Sequence, residues 1–419
     1  MSHERQLKLR LEDKLLLQCV RIHRSSTEFE TVKELAGGNI NWTYVIDKAL
    51  AHGVMPLLYR SLCAFCQDSV PEAAFDRLRK LYSANAQRNL LLTSELAKIL
   101  DLFATSAISV VPLKGPVLAF SAYNNLSLRQ FRDLDILIPK ADVLAAKKLL
   151  VSMGYRPYPE MTQTQEMAHL QSFHARVFVP ESQTYTLDLH WAVTRPDQYL
   201  SVGLEYFCGR LMWMAFAGTK IRTLSTEDLM LVLCVHGSKH GWTRLQWICD
   251  VAELVQAAPT LDWQQLMQKA RDLGVLEAVT VPLLLARNLV GASVPEHVFV
   301  AIKTDPKLKS ITALVTQRFL YDQSVLVRRC QDIVIEMRMK KRVLDRFLYF
   351  LHQLSIVLRP NSVDRAVIAL PITLSFLYYM MRPFRLIITY ALLPLSRRIK
   401  YESGRYGMAA AKRIPKETL

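Results

Sequence analysis

The run Asp133-Leu-Asp-Ile-Leu-Ile138 constrains this chain more than any other segment. Its alternation has a period of two, and residues i and i+2 of a strand point to one face. Asp133 and Asp135 then lie side by side, while Leu134 and Ile136 face a core. Two adjacent carboxylates repel each other and raise each other's pKa. A divalent cation removes that cost. Oxygen donors of this kind suit Mg2+, which keeps several waters and bridges to substrate phosphates, with Mn2+ as its substitute. Asp188 is the only acid of the alternating segment Tyr185 to Trp191, with Leu187 and Leu189 on the opposite face. A strand beside that of Asp133 would bring it to the same ion. Aspartates at strand ends are often merely solvated, so the surroundings matter.

Arg129 and Arg132 precede the pair, placed to bind phosphate oxygens. Upstream, the apolar, β-branched run Ile108 to Leu113 reads as a buried strand. The turn Lys114-Gly115-Pro116 follows, and Pro116 suits the first turn of a helix reaching Tyr123. Downstream, Ala141 to Met153 reads as an amphipathic helix ended by Gly154. Arg176 to Val179 and Thr184 to His190 read as two more strands, with a hairpin turn at Glu181-Ser-Gln183. This succession describes an α/β (α+β) core with a mixed sheet. Helical patterns flank it. They cover residues 5–24, a stretch opening at Asn41-Trp42, Met55 to Leu62, and 71–104 before the core. After it they run from Thr226 to about Leu289. The expected organisation is a helical region over 1–105, a catalytic core over 106–225, a helical substrate or lid region over 226–300 and a basic helical region over 301–419.

The segments Leu113-Lys-Gly115, Arg129-Gln-Phe-Arg-Asp-Leu-Asp-Ile-Leu-Ile138 and Leu187-Asp-Leu-His-Trp191 resemble, in order and spacing, the uncharacterised nucleotidyltransferase family of the polymerase-β-like superfamily. His236-Gly-Ser-Lys-His-Gly-Trp242, Leu245-Gln-Trp-Ile-Cys-Asp250 and Leu377 to Leu386 are similar to it as well. The resemblance implies a nucleotidyltransferase-fold core with Asp133, Asp135 and Asp188 as metal-binding acids. It implies Mg2+ and a nucleoside triphosphate, ATP among the candidates, as partners. Lys114 and Gly115 would stand at the phosphate turn. A nucleoside monophosphate would pass to an acceptor hydroxyl or phosphate, releasing pyrophosphate, and Asp188 would take the acceptor's proton. The acceptor stays open between a small molecule, a glycan precursor of polysaccharide biosynthesis and a peptide. One departure stands out. The wider superfamily has Gly-Ser at the triphosphate turn, whereas Gly115-Pro116 lacks that amide hydrogen and hydroxyl. Lys114 can offer a point charge instead. The departure keeps a catalytically inactive nucleotide-binding protein as the alternative.

His236 and His240 share a helical face at i and i+4, with Lys239 and Arg244 close by. They are candidates for a lid over the substrate, Lys239 contacting phosphate, against plain packing. Zinc is excluded by the missing glutamate of H-E-x-x-H. His190, following the third acid, is a further lid candidate. Trp191 suits either base stacking or the core. Asp250 reads as a partner for Arg244 or Lys239.

The net charge is +16, and residues 301–419, with 22 Lys and Arg against 8 Asp and Glu, carry +14 of it. Such an excess points to an anionic partner. The apolar stretch 366–395 is broken by Pro371 and Arg382, too soon for a membrane span. It reads as a buried hairpin or as an interfacial segment with Arg382, Arg385, Arg397, Arg398 and Lys400 facing an anionic membrane surface. That second reading makes a peripheral membrane-associated binder the other alternative. Nucleic acid is disfavoured, because aromatics that would read bases are not interleaved with the basic residues. Seven scattered cysteines, and first residues dense in charge, lead to the expectation of a cytoplasmic protein, peripheral at most at the inner face of the membrane.

Overall fold

Helix signals dominate the first hundred residues, and helices form there. The computed structural model describes residues 10–21, 26–196, 198–320, 325–339, 346–347, 349–351 and 377–387. It begins with α1 (Leu11–Cys19), α2 (Ser26–Ala36), α3 (Trp42–Ala51), α4 (Met55–Phe65) and α5 (Glu72–Thr105). Asn41 caps α3, its side chain accepting from the Tyr44 N–H at 3.0 Å. The expected helix over 5–24 is confined to α1 among the described residues, and α2 is an addition.

The alternating runs assemble one sheet from β1 (Val111–Pro112), β2 (Asp133–Leu137), β3 (Tyr155–Tyr158), β4 (Ala175–Pro180) and β5 (Thr186–His190), in the order β1-β2-β5-β4-β3. Only β2 and β5 run parallel; the other pairs are antiparallel. Between the strands lie α6 (Pro116–Ser121), α7 (Val143–Ser152) and α8 (Gln163–Ser172). Leu134, Ile136, Leu187 and Leu189 are wholly buried, packed in one core with Leu92, Leu96, Ile99 and Phe103 of α5 and Ala146 and Leu150 of α7. Each such large side chain contributes about 1.5–3 kcal/mol on burial. The mixed α/β fold, a central sheet with helical regions before and after it, is the one expected.

Three local features differ from expectation. β1 is two residues long, because Pro112 has no amide hydrogen for the ladder and the chain turns at Gly115. α8 is largely polar and buries only Leu170, so hydrophobic periodicity misses it; its mark is the capping box between Thr162 and Gln165. The hairpin β6 (Met212–Phe216) and β7 (Thr219–Thr223) turns on Ala217 and Gly218, both at positive φ.

After the hairpin come α9 (Thr226–Lys239), α10 (Leu245–Ala257), α11 (Trp263–Asp272), α12 (Leu276–Val290), α13 (Glu296–Lys303) and α14 (Pro306–Leu320), then α15 (Val325–Met339) and α16 (Leu377–Ile387). The chain divides into two compact units, Met1–Asp322 and Gln323–Leu419. The apolar stretch 366–395 is described only over α16, and Arg397, Arg398 and Lys400 lie outside the described residues. Among the described residues no helix is long and apolar enough to cross a membrane.

Candidate functional site

Parallel pairing sets Asp135 directly opposite Asp188, with Asp133 opposite Thr186 and Leu137 opposite His190. Alternation puts Asp133 and Asp135 on one face of β2, and Asp188 and His190 on one face of β5. Asp135, Asp188 and His190 each present a donor atom, and the three atoms lie within 4.8 Å of one another. The third member of this tight group is His190 rather than Asp133. His190 was expected in a lid; its Nε2 instead lies 3.0 Å from Asp135 Oδ1, on the floor of the site. Asp133 sits half-buried two residues before Asp135 and lines the cleft.

Lys114 supplies the local counter-charge. Its Nζ lies 3.1 Å from Asp135 Oδ2 and 3.3 Å from His236 Nδ1. Gly115 makes this approach possible. Its φ of 60° and ψ of −128° belong to a region that side-chain-bearing residues avoid. Pro116 then occupies the first turn of α6.

Burial pushes the Asp135 pKa up, but the Lys114 ammonium and the His190 hydrogen bond outweigh it and hold the carboxylate well below its usual range. On its neighbours burial is reinforced by the Asp135 charge, and the net shift is upward. Together they raise Asp133, and they push Asp188 up to about 6. Burial, then Lys114, holds His236 well below an ordinary histidine. Burial, then Lys239, brings His240 to about 4.

The segment before β2 is anchored from three sides. Asn85 and Asn89 of α5 both donate to the Arg129 carbonyl, at 3.3 and 2.8 Å. Arg129 donates through Nε and Nη2 to the two oxygens of Asp250, at 2.8 and 2.9 Å. Tyr123 donates its hydroxyl to Asp250 at 2.7 Å. Gln246 of α10 donates to the Gln130 carbonyl at 2.6 Å. Two expectations are corrected here. Asp250 pairs with Arg129, not with Arg244 or Lys239, because α10 faces the segment before β2. The Arg129 guanidinium is engaged by Asp250 rather than offered to phosphate.

A cleft of about 690 Å³ opens above the acids, lined by Lys114, Asp133, Asp135, Arg132, Arg244 and the ring cluster of His236, His240 and Trp247 among others. Arg132 and Arg244 are exposed at it. The Trp247 ring centroid lies 5.4 Å from His236 and 5.2 Å from His240. Lys239 does not line the cleft; its Nζ lies 3.1 Å from His174 Nε2, whose ring centroid is 5.6 Å from that of His190. Trp191 is a core residue, 3 % exposed, donating its indole N–H to the Phe173 carbonyl. Sequence reasoning missed Trp247 and His174. The first stands inside the quoted run Leu245 to Asp250, which gave it a signal. His174 had none, since it reaches the site only through the turn into β4.

The donor set fits a divalent cation. Two carboxylates suit Mg2+, an imidazole beside them is also accepted by Mn2+, and His190 Nδ1 is buried without a hydrogen-bond partner among the described residues. A mixed α/β fold carrying such a cluster beside a glycine turn defines a nucleotidyltransferase-type protein. This chain belongs to the family described as uncharacterised nucleotidyltransferase, whose model matches residues 38–291. A comparison with curated proteins gave no match.

Among solved structures, the chain is similar to the antibiotic-resistance factor ANT(2'')-Ia in solution, at 12% identity and a TM-score of 0.32, over 45% of this chain and 96% of that one. It is similar to the lincosamide antibiotic adenylyltransferase LnuA bound to lincomycin, at 16% identity and a TM-score of 0.27, over 38% and 94%. ANT(2'')-Ia in complex with adenylyl-2''-tobramycin matches at 13% identity and a TM-score of 0.30, over 44% and 97%.

Proposed function

We propose that this protein transfers a nucleoside monophosphate from a nucleoside triphosphate to an acceptor, with Asp135, Asp188 and His190 holding a divalent cation and Asp133 beside them. The observation that carries this reading is the in-register placement of Asp135 and Asp188 on parallel strands, with Asp135 lining a cleft walled by Lys114. A cation bound there supplies Lewis-acid stabilisation of charge on the phosphate oxygens.

The chain's own residues do the rest. Lys114 offers a point charge to the triphosphate from the Gly115 turn, and Arg132 and Arg244 meet its outer oxygens from the cleft rim. Asp188 accepts the proton of the acceptor hydroxyl as its oxygen attacks the α-phosphorus and pyrophosphate leaves. The neutral rings of His236, His240 and Trp247 form the cleft's uncharged wall. Family membership speaks for the nucleotide; the acceptor class stays open between small molecule, glycan precursor and peptide.

The test is pyrophosphate release from each nucleoside triphosphate, with Mg2+ or Mn2+ and pooled acceptors, in wild type and in Asp135→Asn and Asp188→Asn. Loss in both variants is expected. Release that both variants retain would rule the reading out. A second reading is favoured by Pro116, which brings no amide hydrogen to the phosphate turn. Under it, triphosphate binds without any pyrophosphate release.

A further inference from the structure

Both oxygens of the Asp135 carboxylate are engaged. Oδ1 faces His190 Nε2 at 3.0 Å, and Oδ2 faces Lys114 Nζ at 3.1 Å. Asp135 is 5 % exposed, so solvent hardly screens the pair. The ammonium also has His236 Nδ1 at 3.3 Å, on the side of the cleft. Lys114 thus lines, together with Asp135 and His236, the open volume in which phosphates would lie.

An ammonium and a divalent cation cannot both sit in contact with one carboxylate oxygen, since their mutual repulsion is felt at full strength where water is scarce. We propose that Lys114 and the divalent cation compete for Asp135 Oδ2, and that a triphosphate entering the cleft draws Lys114 away and so opens the acid to the cation. The inference rests on the reading that triphosphate occupies this cleft, and it adds an order to binding. Cation affinity is low by itself and rises with triphosphate, with the reciprocal effect required by linkage. Lys239 is the built-in comparison. It is a neighbouring positive charge that feels Asp135 and Asp188, but its Nζ contacts His174 rather than the Asp135 carboxylate.

The experiment is a titration of the full-length protein with Mn2+ alone, followed by electron paramagnetic resonance, without nucleotide. Lys114→Gln should bind Mn2+ at least about tenfold more tightly than wild type, because removing one partner frees a buried charge for another. Lys114→Arg, which keeps the charge, should stay near wild type. Adding Asp135→Asn to Lys114→Gln should abolish the gain. Unchanged or weaker binding by Lys114→Gln overturns the proposal, as does an equal gain in Lys239→Gln, which would reduce the effect to general charge.

A readout on wild type guards against a misfolded variant. Acetylation of Lys114 by limiting acetic anhydride, read by mass spectrometry against other lysines, should rise severalfold on saturation with Mn2+. No rise overturns the proposal. These measurements read the competition without nucleotide; repeating the titration on wild type with saturating triphosphate reads the order, and an unchanged affinity for free Mn2+ overturns it. None of the readouts needs pyrophosphate release, so the two ideas fail separately.

Discussion

Removing Arg129 or Asp250 should cost this protein more stability than most single changes, and the geometry sets the size. The pair is almost out of solvent, at 6 % and 1 % exposure. It is joined by two parallel hydrogen bonds of 2.8 and 2.9 Å, with the Tyr123 hydroxyl as a third partner. Burial disfavours the guanidinium charge, but Asp250 more than reverses this and raises the Arg129 pKa above its ordinary value. Arg129→Met strands a buried carboxylate with one hydroxyl, and Asp250→Ala strands a buried guanidinium. Each should cost about 3–5 kcal/mol. Tyr123→Phe removes only one bond to a charged group and should cost about 1.5–3 kcal/mol.

The double variant Arg129→Met/Asp250→Ala strands neither charge, so its cost should fall short of the sum of the singles by at least about 2 kcal/mol. Urea unfolding at neutral pH, followed by tryptophan fluorescence, measures all four. The Arg129 carbonyl stays held by Asn85 and Asn89, so the loss should appear in unfolding rather than as a misplaced β2. Additive costs, within about 0.5 kcal/mol, would refute the claim that the two charges hold each other in place.

Two further outcomes follow from the same structure. Gly115→Ala meets no crowding, since the new Cβ would lie 3.5 Å from the Asp133 carbonyl, but it must adopt a backbone region reserved for glycine. It should lose about 1–3 kcal/mol, and an unchanged urea midpoint would contradict the strained turn. Glu253 is buried, and burial, then opposed by Arg60 and reinforced by Asp250, pushes its pKa up to about 7 from 4.5. Its folded form therefore holds a proton that the unfolded form releases, so its contribution is complete below pH 4.5 and is lost as pH rises through 7. Glu253→Gln should become more stable relative to wild type between pH 4.5 and 8. A constant difference across that range would refute the assignment.

The acids were legible because a strand's period of two is written directly in Asp133-Leu-Asp-Ile and in Leu187-Asp-Leu. Their faces follow from the alternation that local sterics enforce, whereas the pairing of β2 with β5 is set by the packing of the whole sheet. Arg129 was legible as a charge but not in its partner, since Asp250 lies 121 positions away and only the packing of α10 brings it near. His190 shares the face of Asp188 by the same alternation, so its place beside the acids was available from spacing. Its bond to Asp135 depends on the parallel register and was not. α8 and the β6–β7 hairpin stayed hidden because a capping box and a two-residue turn decide them, not hydrophobic spacing.

The fifth strand lies between the fourth, its hairpin partner in the chain, and the second, which precedes it by two helices and two strands. A growing polypeptide that has completed β2 holds two aspartates but nothing opposite them. Only when residues 186–190 slot into the gap does the facing acid arrive, together with the imidazole. Competence to hold an ion thus belongs to the paired strands and to neither alone, and capture of Mn2+ during refolding would report when β2 and β5 have come together.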